Sequence, residues 1–167
     1  KGYLIKEYFA NYSLHNSDIT INLAENKIEM HTKKTEPWKV TLIDTGEKTM
    51  TGGRLAKVKD YLNNDEPFFF TYGDGLANID LNKLLIHHQK ENRAATLTAV
   101  KPPGRFGSIS LQNNKVLQFQ EKPDGDKAWI NGGFFVLDPK VINLVKDDNY
   151  MWEKEPLEKL ANNGELS

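Results

Sequence analysis

The sequence of 167 residues contains no cysteine. This absence excludes disulfide bonds, thiolate metal ligands and a cysteine nucleophile. It is compatible with a reducing compartment, so we expect the protein to be cytoplasmic.

An excess of charge and a long apolar run are missing as well. The 22 basic residues nearly balance the 23 acidic residues, which leaves a formal net charge of -1. The net charge therefore provides no general attraction to nucleic acid or to an anionic membrane. No apolar run approaches the roughly 20 residues of a membrane-spanning helix, and no signal-peptide pattern opens the chain. We expect neither nucleic acid nor membrane as a partner.

The four histidines show no spacing typical of a metal site. His87 and His88 are neighbours on a predicted helix and face different directions, whereas helical metal ligands are three or four residues apart. We interpret them as structural. The aromatic run 68–70 is predicted to be core, because no basic residues interleave with it as they do in a nucleic-acid stacking surface.

Apolar periodicity predicts strands that alternate with helices. In the first half we expect a helix over 1–11, a hairpin of strands 18–23 and 27–31, a strand over 38–44, and a helix from Gly52 with Thr51 as its N-cap. There follow a buried parallel strand over 67–72, a helix capped by Asp80, strands over 94–100, 108–111, 116–120 and 129–137, and helical segments over 139–145 and 156–160. The alternation favours one α/β domain over 1–167, a three-layer sandwich with a mostly parallel central sheet and a small β-hairpin insertion.

Asp74 lies just past the end of the predicted strand 67–72, between Gly73 and Gly75. Ligands of open α/β sheets bind at the carboxyl ends of strands, and a carboxylate there could bind a hard cation. A simple tight turn is the alternative, since Asp and Gly dominate turns.

Glu121 and Lys122 end the strand VLQFQ just before Pro123. Glu121 could accept hydrogen bonds from sugar hydroxyls, and Lys122 could neutralise a phosphate. Two solvated charges at an exposed strand end are the alternative.

Glycines interrupt or open three further segments. Gly132 and Gly133 after Asn131 imply either a structural bulge or a close approach to the backbone, where Asn131 could donate and accept. The free amides expected at the start of the Gly52 helix, with Arg54, could bind an anion; the alternative, which the spacing alone favours, is an N-terminal loop with a surface arginine. In the rigid loop 102–107, Gly107 could present its backbone to a sugar.

Five ordered motifs together resemble the sugar-phosphate nucleotidylyltransferases: TGGR at 51–54, FFFTYGDG at 68–75, PPGRFG at 102–107, FQEKP at 119–123 and INGGFFV at 130–136. The resemblance covers nearly the whole chain and implies a Rossmann-like fold of the nucleotide-diphospho-sugar transferase type. Segment 36–55 is similar, more specifically, to the cytidylyltransferases that make CDP-glucose.

The resemblance also implies roles for single residues. By similarity, Asp74 holds the catalytic Mg²⁺, and Glu121 and Lys122 bind the glucose and its phosphate. Asp74 and Lys122 are counted as the catalytic residues. Arg54 and Asn131 match residues that contact the nucleotide or nucleotide-sugar, and Gly107 matches a glycine of the sugar pocket.

The implied reaction converts CTP and α-D-glucose 1-phosphate to CDP-glucose and pyrophosphate, for deoxysugar and O-antigen (lipopolysaccharide) biosynthesis, in an enzyme that we expect to be a homo-oligomer. UTP or dTTP as the nucleotide, a nucleotide-sugar glycosyltransferase and a non-catalytic sugar-binding module remain the alternatives.

Two parts of the family pattern are missing from the sequence. They are the glycine-rich loop GGxGTR with its following lysine, which holds the triphosphate, and a second magnesium aspartate after a later strand. Both ends also look cut, because Lys1 already lies in a helical pattern. We therefore expect the natural protein to continue in both directions and the isolated segment to be inactive and unstable.

Overall fold

The computed structural model describes residues 2–32, 34–62, 66–102, 108–120 and 129–167. The chain divides into two compact units, Lys1–Gly46 and Glu47–Ser167. The single domain expected over 1–167 stays a prediction.

The first unit contains two helices and a hairpin: α1 (Gly2–Ala10), α2 (Tyr12–His15), β1 (Ile19–Asn22) and β2 (Lys27–Met30). The strands pair antiparallel, with Ile19 opposite Met30 and Asn22 opposite Lys27. At the turn, the Asn22 side chain accepts hydrogen bonds from the amides of Ala24 and Glu25, at 3.1 and 3.2 Å. The predicted first helix and the predicted hairpin insertion are confirmed.

The strand predicted over 38–44 is wrong, because residues 34–46 form neither helix nor strand. The segment alternates apolar and polar residues, yet no described strand pairs with it. Without a partner strand, the backbone N–H and C=O groups of this segment hydrogen-bond to water instead of forming a β-ladder. Trp38 accordingly remains 62% exposed.

The second unit contains strands and helices in alternation. In chain order, they are α3 (Thr51–Lys57), a 3-10 helix (Lys59–Tyr61), β3 (Phe68–Thr71), α4 (Leu81–Glu91), β4 (Ala95–Val100), β5 (Ser108–Gln112), β6 (Lys115–Gln120), β7 (Ile130–Leu137), a 3-10 helix (Pro139–Leu144) and α5 (Glu155–Asn162). All of these agree with predicted elements to within a few residues at each end.

The main sheet of this unit has the order β3-β7-β4, and β5 pairs with β6 in a separate hairpin. β7 runs antiparallel to both of its neighbours, which are therefore parallel to each other. Ala95 also forms an isolated parallel bridge with Leu166. The α/β fold class is confirmed, but the buried parallel strand expected over 67–72 is instead paired antiparallel to β7. Its residues alternate between half-buried and exposed, and Phe69, which we expected in the core, is 46% exposed.

Both faces of the sheet are covered, which gives the expected three layers. Thr96 lies opposite Val136, so the two share one face, and His88 of α4 hydrogen-bonds Thr96 there at 2.9 Å. Phe135 points to the other face, where its ring meets the edge of Trp152 at a centroid distance of 6.2 Å.

The core of this unit centres on the fully buried Trp152 and on the apolar residues around it, which are Leu55, Ala94, Ala95, Phe135, Leu137, Val141, Ile142, Leu157 and Leu160. His88 is buried between Thr96 and Asp138, with 3.3 Å to the Asp138 carboxylate, so its structural interpretation is confirmed. None of the described helices is long and apolar enough to cross a membrane.

Two predicted helix caps have opposite outcomes. Asp80 caps α4 as predicted, since its side chain accepts from the amide of Lys83 at 3.1 Å. Thr51 is not the cap of α3, because Met50 occupies that position and makes no side-chain cap hydrogen bond. The Thr51 hydroxyl is instead used in a tertiary contact.

Candidate functional site

The turn after β3 places Asp74 on the surface. The chain turns back between Tyr72 and Gly75, where the Gly75 amide donates to the Tyr72 carbonyl at 3.2 Å. Asp74 is exposed, and within the described part of the chain its carboxylate makes no hydrogen bond or ion pair. An exposed carboxylate without a protein partner is a suitable ligand for a hard cation.

The start of α3 is not the open anion site that its glycines suggested. The amides of Gly52 and Gly53 both donate to the Tyr150 carbonyl, at 3.0 and 3.3 Å. A Cβ at Gly52 would lie 2.8 Å from that carbonyl oxygen, and one at Gly53 would lie 2.7 Å from the Cα of Asp148. The prediction of free amide donors is therefore wrong. These two positions require glycine because the backbone of residues 148–152 packs directly against the helix start and leaves no room for a Cβ atom.

Arg54 remains a candidate ligand for an anionic group. Its side chain is exposed, and its guanidinium donates to the Glu47 carbonyl at 3.2 Å. A guanidinium carries a fixed positive charge and planar N–H donors, which suit a phosphate or a base edge.

The predicted bulge at Asn131–Gly133 is confirmed. The pairing of β4 with β7 shifts between Leu97 and Ala99, opposite this segment. Gly133 has a φ of 79°, and a Cβ there would lie 3.1 Å from the ring of Tyr72. The side-chain oxygen Oδ1 of Asn131 accepts from the Gly133 amide at 2.8 Å, so this side chain stabilises the bulge.

A hydrogen-bonded chain joins three of the motifs. Tyr72 donates its hydroxyl to Glu153 at 2.6 Å, and Thr51 donates its hydroxyl to the other oxygen of the same carboxylate at 2.7 Å. Next to Tyr72, the Thr71 hydroxyl donates to the Gly133 carbonyl of the β7 bulge at 2.8 Å. The start of α3, the end of β3 and the bulge of β7 are thereby connected through Tyr72 and Glu153.

The environment of Tyr72 keeps its phenol protonated. Burial raises its pKa most, and the hydrogen bond to Glu153 and the negative charge of that carboxylate raise it further. The Asn131 hydrogen bond lowers the pKa but does not offset the other effects. Tyr72 is therefore a hydrogen-bond donor to Glu153 throughout the physiological pH range.

Sequence reasoning missed both Tyr72 and Glu153. Glu153 is 81 residues from Tyr72 and 102 residues from Thr51, so no local spacing connects them. The one available signal was the tyrosine between the strand 68–71 and the Gly-Asp-Gly turn, because a polar tip on an aromatic ring at a strand end usually finds a partner.

Three predicted site residues, Gly107, Glu121 and Lys122, lie outside the described residues. Their assignments to the sugar and its phosphate stay predictions. Among the described residues, the structure connects the bulge that contains Asn131 to Thr51 through the end of β3 and Glu153. It shows no contact between Asp74 and Arg54 in the described part of the chain.

The described ranges contain no group of three or more His, Asp or Glu side chains that could hold a metal ion. A lone carboxylate at Asp74 still fits Mg²⁺, which in nucleotide enzymes uses one or two protein carboxylates together with water and substrate phosphates. Among the described residues it is a suitable Mg²⁺ ligand on these grounds.

Comparison with known proteins places these features in a family. The family described as nucleotidyl transferase matches residues 5–165. The chain is 57% identical over 166 residues to the glucose-1-phosphate cytidylyltransferase of Salmonella typhi. This alignment covers 99% of this chain and 65% of that protein. It is 44% identical over 168 residues to the probable glucose-1-phosphate cytidylyltransferase of Bacillus subtilis. This alignment covers 100% of this chain and 65% of that protein. The chain thus spans about 65% of the length of these relatives.

A solved structure supports the same fold. The crystal structure of a putative glucose-1-phosphate thymidylyltransferase from Bacillus anthracis superposes with a TM-score of 0.50 at 22% identity, over 73% of this chain and 53% of that one. Together with the match over residues 5–165, these similarities show that the chain belongs to the nucleotidyl transferase family.

Proposed function

We propose that the protein containing this chain transfers the cytidylyl group of CTP to α-D-glucose 1-phosphate, forming CDP-glucose and pyrophosphate. The observation that carries the proposal is the 57% identity, over 99% of this chain, to a protein named for that activity. The aligned region spans 99% of this chain and therefore includes the segments that contain Asp74, Arg54 and Asn131.

The reaction requires that two anionic substrates be brought together. An oxygen of the sugar phosphate attacks the α-phosphorus of the triphosphate, the bond to the bridging oxygen breaks, and pyrophosphate leaves with its electron pair. The protein contributes positioning and charge neutralisation, and no covalent enzyme intermediate is needed.

The residues on the described surface suit this task. We assign Asp74 to a Mg²⁺ ion, which would neutralise phosphate charge when bound, because its carboxylate is exposed and has no protein partner among the described residues. We assign Arg54 to the nucleotide because its guanidinium is positively charged and exposed. Asn131 is assigned to the nucleotide or nucleotide-sugar by resemblance. Lys122, Glu121 and Gly107 are assigned to glucose 1-phosphate by resemblance alone.

The remaining attributes belong to the same proposal. CDP-glucose would supply deoxysugars for O-antigen and lipopolysaccharide synthesis, and we expect a cytoplasmic homo-oligomer. Cytidine is preferred over uridine and thymidine because the relatives at 57% and 44% identity are both named as cytidylyltransferases.

A product assay on the full-length protein tests the proposal. The purified protein is incubated with glucose 1-phosphate, MgCl₂ and either CTP, UTP or dTTP, and nucleotide-sugars are separated by ion-exchange chromatography. We expect CDP-glucose to form faster than the products of UTP or dTTP, and we expect its formation to stop when EDTA is added. Product from UTP or dTTP alone would reject the choice of base, and no product with any nucleotide would reject the activity.

A further inference from the structure

The bridge formed by Glu153 joins two segments that are far apart in the sequence. We infer that Glu153 is a positioning residue that holds the Arg54 segment and the Asp74 turn in one arrangement. This inference rests on the proposed function, in which Arg54 and Asp74 act on the same nucleotide.

Glu153 uses both carboxylate oxygens, one for each segment. Oε1 accepts from Tyr72 at 2.6 Å, and Oε2 accepts from Thr51 at 2.7 Å. Hydrogen bonds from hydroxyls to a carboxylate are short and about twice as strong as those between neutral groups. A single side chain therefore connects the first residue of α3 with the residue after β3.

The direction of each hydrogen bond is determined by the surroundings. The Thr51 oxygen accepts from the amide of Trp152 at 2.9 Å, so the one hydroxyl hydrogen is left for Glu153. The raised pKa of Tyr72 keeps its phenol protonated, so its hydroxyl donates to Glu153. Neither hydroxyl can turn away without leaving a half-buried polar group unpaired.

Glu153 itself is held in place by its neighbour. Trp152 is fully buried, and its ring packs against Phe70 and Phe135 with centroid distances of 6.1 and 6.2 Å. The backbone that precedes Glu153 is therefore part of the core. A carboxylate on such a rigid base can act as a fixed reference for the two segments.

The segments held by Glu153 contain the proposed ligands of the nucleotide. Asp74 is two residues after Tyr72, and Arg54 is three residues after Thr51. Because these separations are only two or three residues, a shift of the backbone at Tyr72 or Thr51 displaces the segment that carries Asp74 or Arg54. A misplacement of about 1 Å can lower the rate of a positioned reaction by about 100-fold.

The test uses the full-length enzyme with Glu153→Ala, Glu153→Gln and the control Glu158→Ala. Glu158 is an exposed carboxylate on α5, so its variant removes the same charge without removing the bridge. We expect Glu153→Ala to lower kcat by about 10- to 100-fold, to leave the KM for CTP within about threefold, and to raise the Mg²⁺ concentration for half-maximal rate. Glu153→Gln keeps one acceptor oxygen and should restore part of the rate.

A double-mutant cycle keeps the inference falsifiable if Glu153→Ala folds poorly. Thr51→Val and Tyr72→Phe each remove one arm of the bridge, and no direct contact joins Thr51 to Tyr72 among the described hydrogen bonds. Their effects on kcat should be non-additive, because loss of one arm already releases the carboxylate. Independent, fully multiplicative effects would contradict the inference, as would a folded Glu153→Ala enzyme whose kcat stays within about twofold of wild type.

Hydrogen exchange separates failure of this inference from failure of the proposed function. The amides of residues 52–54 and 73–75 should exchange faster in Glu153→Ala than in wild type, and should be unchanged in Glu158→Ala. This result is expected whether or not CDP-glucose is formed. Equal exchange in all three proteins would overturn the inference even in an active enzyme.

Discussion

At the scale of single residues, one motif can serve a ligand, the fold, or both. The glycines of TGGR serve the fold, since the backbone of Tyr150 and Asp148 packs directly against Gly52 and Gly53. Asn131 stabilises a bulge, and its side chain also acts to lower the pKa of Tyr72. Asp74, by contrast, has no partner among the described residues, so a structural explanation for its carboxylate is lacking.

Gly53→Ala should destabilise the second unit by about 1 to 3 kcal/mol, because the new methyl group would overlap the Asp148 backbone and the structure would have to shift. Chemical denaturation of the variant measures this loss. Gly73→Ala is the matched control, since a Cβ at Gly73 meets nothing within 4 Å. Equal stability of the two variants would show that the close contact with Asp148 is absent in solution.

Asp74→Asn in the full-length enzyme should abolish magnesium-dependent turnover while the protein stays folded. A neutral amide is a poor ligand for a hard cation, and the exposed side chain makes no described contact that the substitution could break. Initial rates over a series of MgCl₂ concentrations measure the effect, with circular dichroism as the folding control. Near-normal turnover with an unchanged magnesium dependence would contradict the assignment.

At the scale of elements, α3 is positioned by contacts with residues far along the chain. The Met50 amide donates to the Asp148 carbonyl at 2.8 Å, and Lys57 forms an ion pair with the Asp148 carboxylate at 2.6 Å. Both ends of the helix are thus attached to the segment that precedes Trp152. The position of Arg54 follows from these contacts rather than from the helix itself.

The Lys57 ion pair predicts a small dependence of stability on pH. The hydrogen bond from Lys57 lowers the pKa of Asp148 below its usual value. Because the pKa in the folded state is the lower one, the stabilisation is complete above the unfolded pKa of about 4 and is lost as the pH falls through the folded pKa. The pair is exposed, so salt should weaken it.

Thermal unfolding of wild type and Asp148→Asn from pH 7 to pH 2 measures this dependence. The difference in Tm should be largest near neutral pH and should shrink below about pH 4. Asp60→Asn, an exposed aspartate on the 3-10 helix Lys59–Tyr61, controls for the loss of one negative charge. A Tm difference that persists unchanged to pH 2 would indicate a packing effect instead of an ion pair.

At the scale of the whole molecule, the first unit has an unusually exposed apolar helix. None of the residues of α1 is buried, and Tyr3 and Tyr8 are 70% and 50% exposed. Exposed apolar patches of this kind favour association with other surfaces. We therefore expect residues 1–167, expressed alone, to self-associate and to bind an apolar dye.

Light scattering after size-exclusion chromatography measures this association. Replacement of Tyr3 and Tyr8 by Gln should reduce both the apparent mass and the dye fluorescence, because the apolar area decreases. Substitution of the exposed His87 by Gln in the other unit is a control that leaves the patch intact. A monodisperse monomer that binds no dye would contradict the expectation.

The sequence alone determined the features that depend on local chemistry. Periodicity located nearly all helices and strands, Asp80 was recognised as a cap, and the glycines after Asn131 indicated the bulge. These succeed because the causes, backbone conformation and side-chain alternation, act within a few neighbouring residues. The ordered motifs also identified the family, since a motif preserves residue types and spacing.

The tertiary structure decided everything that depends on distant partners. The strand predicted over 38–44 does not form, and none of the described strands lies beside it. Thr51 hydrogen-bonds Glu153 instead of capping α3, and β7 lies between two strands that sequence order would place side by side. Periodicity contains no information on which strand pairs with which, or on which hydroxyl faces a carboxylate 102 residues away. The bridge through Glu153 exists only because packing around Trp152 brings the three segments together.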